Sequence, residues 1–180
     1  MTTVAESLFP STEAHLIDTN LFIAFERTDS LSLLERAVTE RGIELLLPER
    51  VYDELTPEEL PYQTPPVDRA IDDGWIRIVE SIEYADPVVS NTMDMVRRYI
   101  AAADGRSEHD IEQADAVVGG ATATLLVQEK VASVSVYTSD KAAFRGIERA
   151  LAEHGYNNRV QLVRAFDFVD AVNERYRFGP

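Results

Sequence analysis

Short apolar runs alternate along this chain with stretches whose apolar residues recur every three or four positions. That alternation admits few architectures. Leu16-Ile17, Ile43 to Leu47, Trp75 to Val79, Val131 to Tyr137 and Val160 to Val163 read as buried strands. Between them, helical spacing covers Asn20–Arg27, Ser30–Arg41, a segment opening at Pro48, Val67–Asp72, Val89–Ala103, Asp110–Lys130, Lys141–His154 and Phe166–Tyr176. Gly42 and Gly155 stop two of these helices. Pro48 is placed at a first helical turn, and Gly119-Gly120 inside a helix permits close packing. Strand followed by helix, repeated, predicts an α/β fold: a three-layer sandwich with a central parallel sheet of about five strands flanked by helices. No repeat and no long linker divides the 180 residues, so one domain is expected over 1–180, with its core at about 14–176. Residues 1–13 read as a polar lead-in.

The first strand ends in Ile17-Asp18-Thr19-Asn20, a carboxylate followed by a hydroxyl and an amide. Open α/β sheets place their ligand crevice at the carboxyl ends of strands. Asp18 stands there, and so does Asp140, after Tyr137-Thr138-Ser139. Each suits a helix N-cap, and neither alone says more. Asp115 lies among Ala114, Ala116, Val117 and Val118, in what reads as a helix interior, where aspartate is poorly accommodated. Glu112 precedes it by one helical turn. Glu54 lies between Val51 and Leu55, with Asp53, Glu58 and Glu59 close by as ordinary solvated acids. Carboxylates gathered in one pocket raise one another's pKa, and a divalent cation removes that repulsion. Oxygen donors suit Mg²⁺ or Mn²⁺ rather than Zn²⁺. Such ions activate water and stabilise the leaving oxygen of a phosphodiester.

Composition removes other chemistries. The sequence has no cysteine, hence no disulfide, thiolate ligand or cysteine nucleophile. It has no Gly-x-Ser-x-Gly elbow and no phosphate-binding P-loop. His15, His109 and His154 are scattered and read as structural or surface residues. A phosphotransferase using Asp18 as nucleophile ordinarily wants an acid two residues on, where Asn20 stands. No run of about 20 apolar residues spans a membrane, and the N-terminus lacks a secretory pattern. A cytoplasmic protein without membrane attachment is expected.

The net charge is −15, and lysine occurs only at 130 and 141. Acids spread along the chain in this way fit a protein adapted to concentrated salt, where self-repulsion is screened within about 3 Å at 1 M. The same field repels nucleic acid at low salt. Any phosphate contact must come from local arginines; Arg97, Arg98, Arg106, Arg145 and Arg149 are the candidates, each also able to serve as a surface ion-pair partner.

Ile17-Asp18-Thr19-Asn20 resembles the opening motif of the PIN-domain ribonucleases, a family that includes the toxins of many prokaryotic toxin–antitoxin pairs. Val51-Tyr52-Asp53-Glu54-Leu55 is similar to the second motif, Gln113-Ala114-Asp115-Ala116 to the third, and Tyr137-Thr138-Ser139-Asp140 with Phe144 to the fourth. Two departures are visible: extra sequence near 57–66 and 80–110, and serine at 139 where an asparagine or acid is frequent. The resemblance implies a metal-dependent endoribonuclease, either a toxin or an RNA-processing nuclease. Asp18, Glu54, Asp115 and Asp140 would hold Mg²⁺ or Mn²⁺ as catalytic ligands, with Thr19, Asn20, Glu112 and Ser139 supporting them from behind. Implied partners are RNA and an antitoxin protein. The apolar helices Val89–Ala103 and Asp110–Lys130 could form a homodimer face, and an internal core explains them equally well. The alternative is a noncatalytic PIN-like module that binds RNA or protein.

Overall fold

A computed structural model describes residues 7–58, 64–79, 81–111 and 113–178. In chain order the elements are β1 (Ala14–Ile17), α1 (Thr19–Arg27), α2 (Leu31–Arg41), β2 (Leu45–Pro48), α3 (Glu49–Leu55), α4 (Pro66–Asp72), β3 (Ile76–Val79), α5 (Pro87–Asp104), α6 (Val117–Val127), β4 (Val134–Thr138), α7 (Lys141–Glu153), β5 (Val160–Arg164) and α8 (Ala165–Arg177). The five strands form one parallel sheet in the order β3-β2-β1-β4-β5. The predicted α/β sandwich is what the chain adopts.

Alternate strand residues face opposite layers, as strand geometry requires. Leu16, Leu46, Val134 and Val136 pack with α5, α6 and α7. Ile17, Leu45, Leu47 and Tyr137 pack with α1, α2, α4 and α8. With both faces covered, β1, β2 and β4 are buried at every position, and the polar side chains they carry, His15, Ser135 and Thr138, each have a hydrogen-bond partner. The chain steps outward from β1 through β2 to β3, then returns to the other side of β1 for β4 and β5. The reversal between β1 and β4 opens the crevice of a doubly wound sheet at their carboxyl ends. Residue pairs run in register to that edge, with Ile17 beside Tyr137.

Several expected boundaries move. The helix read over Asp110–Lys130 is three pieces: a 3₁₀ turn at Glu108–Asp110, another at Gln113–Ala116, and α6 proper. Ile111 is buried in extended backbone between the turns, and this anchor breaks the helical path. Pro48 is the last residue of β2, with extended backbone, and caps α3 instead of opening it. α5 starts before Val89, because Asp86 accepts the N–H groups of Val88 and Val89 while Pro87 takes the first helical position. The lead-in is not simply polar: Phe9 is 3% exposed, and its ring stacks edge-on against Phe168 at 5.3 Å.

Gly119 and Gly120 allow the close packing expected of them. A Cβ at either would stand 2.8 Å from Val96 or Met93 of α5. The apolar faces of α5 and α6 are thereby committed to the chain's own core. Among the described residues no helix is long and apolar enough to cross a membrane.

Candidate active site

The chain leaves β1 at Ile17 and turns directly into α1 through Asp18. Asp18 has extended backbone, and its Oδ1 accepts the N–H of Leu21 at 3.1 Å. One strand over, β4 ends at Thr138 and α7 begins after Asp140, whose Oδ1 accepts the N–H of Ala143 at 2.9 Å. Both aspartates are N-caps, and because β1 and β4 are neighbours the two caps share one crevice. The Asp18 backbone N–H donates to the carbonyl of Tyr137 at 3.3 Å, extending the ladder to that point.

Thr138 ties the pair together. Its buried hydroxyl accepts the N–H of Asp140 at 3.1 Å and bonds to the Asp18 carboxylate. Asp18 is only 9% exposed. Burial pushes its carboxyl above the ordinary range, the bonds from Thr138, Leu21 and Asn20 pull it back, and the nearby charge of Asp140 pushes it up again. Thr138 appeared in the sequence only as part of a motif; a hydroxyl at a strand end, between two capping acids, was the available signal.

Glu54 joins from α3. Its Oε2 accepts the Thr19 hydroxyl at 2.6 Å, and its Oε1 lies 4.0 Å from Arg50 Nε. Thr19 follows Asp18 in the chain, so Glu54 is tethered beside Asp18. Glu54 is exposed, as sequence spacing allowed. Asp115 is placed differently from its expected helix interior: it is exposed, in the 3₁₀ turn that leads into α6. Its end of α6 is the end that faces the crevice, because Val117 lines a cleft together with Arg50 and Asp53 of α3. Asn20 is exposed and faces α8, in a groove with Phe166. Ser139 is exposed. Glu112 lies outside the described residues.

The structure therefore joins Asp18 with Asp140, and Glu54 with Asp18 through Thr19. No hydrogen bond or ion pair links Asp115 to them, and among the described residues no three carboxylates or histidines stand close enough to form a ready-made metal cluster. The donor set nonetheless suits a hard cation. Mg²⁺ is commonly held by one or two carboxylates, with water and substrate phosphate completing its shell. A buried aspartate whose charge is disfavoured by burial and by a second aspartate is a position that a cation would relieve.

The model of the Halobacterial PIN domain family matches residues 11–177. The chain belongs to that family. None of the curated proteins and none of the solved structures matches it. The family's description agrees with the acid-rich, lysine-poor composition of this PIN domain.

The candidate arginines are mostly occupied in this PIN domain. Arg97 bonds Asp94, Arg98 lies 3.4 Å from Glu108, Arg106 lies 3.7 Å from Asp104, and Arg149 lies 3.0 Å from Glu153. Arg145 is exposed on α7 and forms no ion pair among the described residues.

Proposed function

We propose that this PIN domain is a metal-dependent endoribonuclease that hydrolyses phosphodiester bonds of RNA. PIN domains are generally nucleases, and the finer reading rests on one observation. Asp18 and Asp140 cap neighbouring helices at the reversal of the sheet and share the hydroxyl of Thr138, and the Asp140 charge adds to the burial that raises the pKa of Asp18.

In this reading Asp18 and Asp140 hold Mg²⁺ or Mn²⁺, with Glu54 and Asp115 approaching from α3 and the turn before α6. The bound ion supplies Lewis acidity at the phosphate and a nucleophilic water at neutral pH. Thr138 fixes both aspartates, so their free oxygens are oriented before substrate arrives. Thr19 holds Glu54 toward Asp18 and keeps it within reach of the same crevice. The helix N-termini behind Asp18 and Asp140 place partial positive charge under the site.

The test is cleavage of labelled single-stranded RNA in molar KCl with Mn²⁺ or Mg²⁺. Asp18→Asn and Asp140→Asn should lower the rate by at least about a hundredfold, since the ion contributes several kcal/mol of charge stabilisation. Asparagine caps helices as well as aspartate does, so neither variant should unfold. Without metal, Asp18→Asn should raise Tm, by about 2–4 °C for each 1 kcal/mol of relieved burial cost. Full cleavage in excess EDTA, or wild-type turnover by both variants, would overturn the reading.

One observation favours the second reading, a noncatalytic module that binds RNA or protein. The exposed Asp115 and Glu54 do not close with Asp18 and Asp140 into a ready-made cluster. That reading expects RNA binding without turnover, and no Tm gain from Mn²⁺.

A further inference from the structure

Two small clefts open at the same end of the sheet as Asp18 and Asp140, one toward each edge. The first holds about 280 Å³ between α1 and α8, with Asn20, Ile23, Arg27 and Phe166 in its walls. The second holds about 260 Å³ between α3 and the segment after β3, with Arg50, Asp53, Tyr84 and Val117 in its walls. Among the described residues the exposed large apolar side chains are Phe166 at 60%, Tyr84 at 52% and, past the end of α8, Phe178. Phe166 follows edge strand β5, and Tyr84 follows edge strand β3. The carboxylates follow central strands β1 and β4, so the rings bracket them. Four strand spacings separate the edges, about 19 Å. Both clefts reach the carboxylates through short connections. Asn20 is two residues from Asp18, and Arg50 lies 4.0 Å from Glu54.

We propose that the two clefts are base-stacking subsites for single-stranded RNA, with Phe166 and Tyr84 each receiving a base, one on either side of the phosphate offered to Asp18 and Asp140. This rests on the ribonuclease reading above. Charge makes stacking the available source of affinity. A chain of net charge −15 has no broad basic surface to follow a phosphate backbone. Ring-on-base contact does not depend on that field and survives concentrated salt, because every base presents a π-face. Each cleft also carries an arginine, Arg27 or Arg50, able to meet a phosphate or stack on a base, and carboxylates able to accept a base N–H, Asp170 in the first and Glu49 and Asp53 in the second. The volumes fall below the usual range for drug-sized ligands, about 300–1,000 Å³. They match a single planar group better than the long groove a docking helix needs.

The test uses the full chain, a labelled single-stranded RNA oligonucleotide, and the same oligonucleotide with abasic riboses flanking the cleavage site. Binding is read by anisotropy in molar KCl with EDTA, and steady-state cleavage with Mn²⁺. Phe166→Ala and Tyr84→Ala should each weaken binding about tenfold and raise KM more than they lower kcat. Phe166→Trp and Tyr84→Trp should restore both, and the tryptophan fluorescence added by Tyr84→Trp should quench when RNA binds. Wild type should lose affinity for the abasic strand, and the alanine variants should lose nothing further. Unchanged binding and KM in both alanine variants would overturn the subsites and leave the ribonuclease reading standing. So would equal losses for intact and abasic strands, which would place the contact on the sugar–phosphate backbone and not on the bases. A wild-type chain that neither binds nor cleaves RNA would overturn both.

Discussion

A single hydroxyl, that of Thr138, does two tasks at the site. It accepts the Asp140 N–H and bonds to the buried Asp18 carboxylate. Thr138→Val keeps the branched shape and removes both bonds. Asp140's N–H then lacks its acceptor, a loss of about 1–3 kcal/mol. Asp18 loses a bond that had been lowering its pKa, so it ionises less readily. Mn²⁺ affinity should fall about 10- to 100-fold, and Thr138→Ser should recover most of it; calorimetric titration with Mn²⁺ and urea unfolding check the two effects. His15 offers a separate residue-scale prediction. It lies in central strand β1, its Nδ1 2.9 Å from the Tyr137 hydroxyl, and burial holds its pKa below the usual 6.5. The unfolded chain therefore takes up the proton first. His15's contribution is fully present above about pH 6.5 and is lost as pH falls toward the lower folded-state value. Asp18 works in the opposite sense, since a carboxyl raised by burial gains stability on protonation. The difference between wild type and His15→Gln isolates the histidine: Tm of wild type should fall more steeply than that of the variant between pH 6.5 and 5. Parallel Tm curves would refute the assignment.

The elements were largely legible in the sequence because the central strands β1, β2 and β4 are buried on both faces and most helices on one. Continuous apolar runs and three-four spacing report those two conditions directly. Asp18 and Asp140 were legible for a related reason: a cap at the end of a buried strand has one place to be. Asp115 was misplaced because apolar neighbours resemble a helix interior, whereas the chain there is pinned by buried Ile111 and continues into a 3₁₀ turn. Phe9 was missed because its burial depends on Phe168, which no local pattern can reveal. The same limit applies to the crossing of α5 with α6 and α7, where glycine spacing hints at contact but not at its severity. A Cβ at Gly146 would meet backbone atoms of α5, Val96 Cα at 2.7 Å and the Met95 carbonyl oxygen at 2.9 Å. A Cβ at Gly120 would meet the flexible end of Met93 at 2.8 Å. Alanine improves helix propensity by about 1 kcal/mol at either site. Gly146→Ala should still destabilise by about 1–3 kcal/mol, because two helix backbones must part. Gly120→Ala should be closer to neutral, because Met93 can change rotamer. Urea unfolding at fixed salt ranks them, and equal losses would mean that the α5–α7 crossing yields as easily as a methionine.

At the scale of the whole molecule the governing quantity is charge. With 32 acids against 17 lysines and arginines, self-repulsion opposes compaction wherever salt does not screen it. Surface pairs such as Arg36–Glu40 at 2.8 Å and Arg149–Glu153 at 3.0 Å lie in solvent and offset little of this, since exposed pairs contribute about 0–1 kcal/mol each. Stability should therefore rise steeply as KCl increases from low to molar concentration, over the range in which the Debye length shrinks from about 10 Å to about 3 Å. Sucrose at matched osmolality strengthens burial without screening charge, so it should reproduce only a minor part of the Tm gain. If sucrose matched KCl, exclusion from the surface rather than relief of repulsion would be the cause. The same field sets the salt response of RNA binding. A basic protein releases counterions from the phosphates it neutralises, and its affinity falls with salt in proportion to their number. Here most candidate arginines already face acids of their own surface, and salt weakens the repulsion between two polyanions as much as it weakens any contact. Log K against log salt should be shallow or rising. A steep negative slope would require several phosphates neutralised by basic side chains, which the present distribution of charge does not supply.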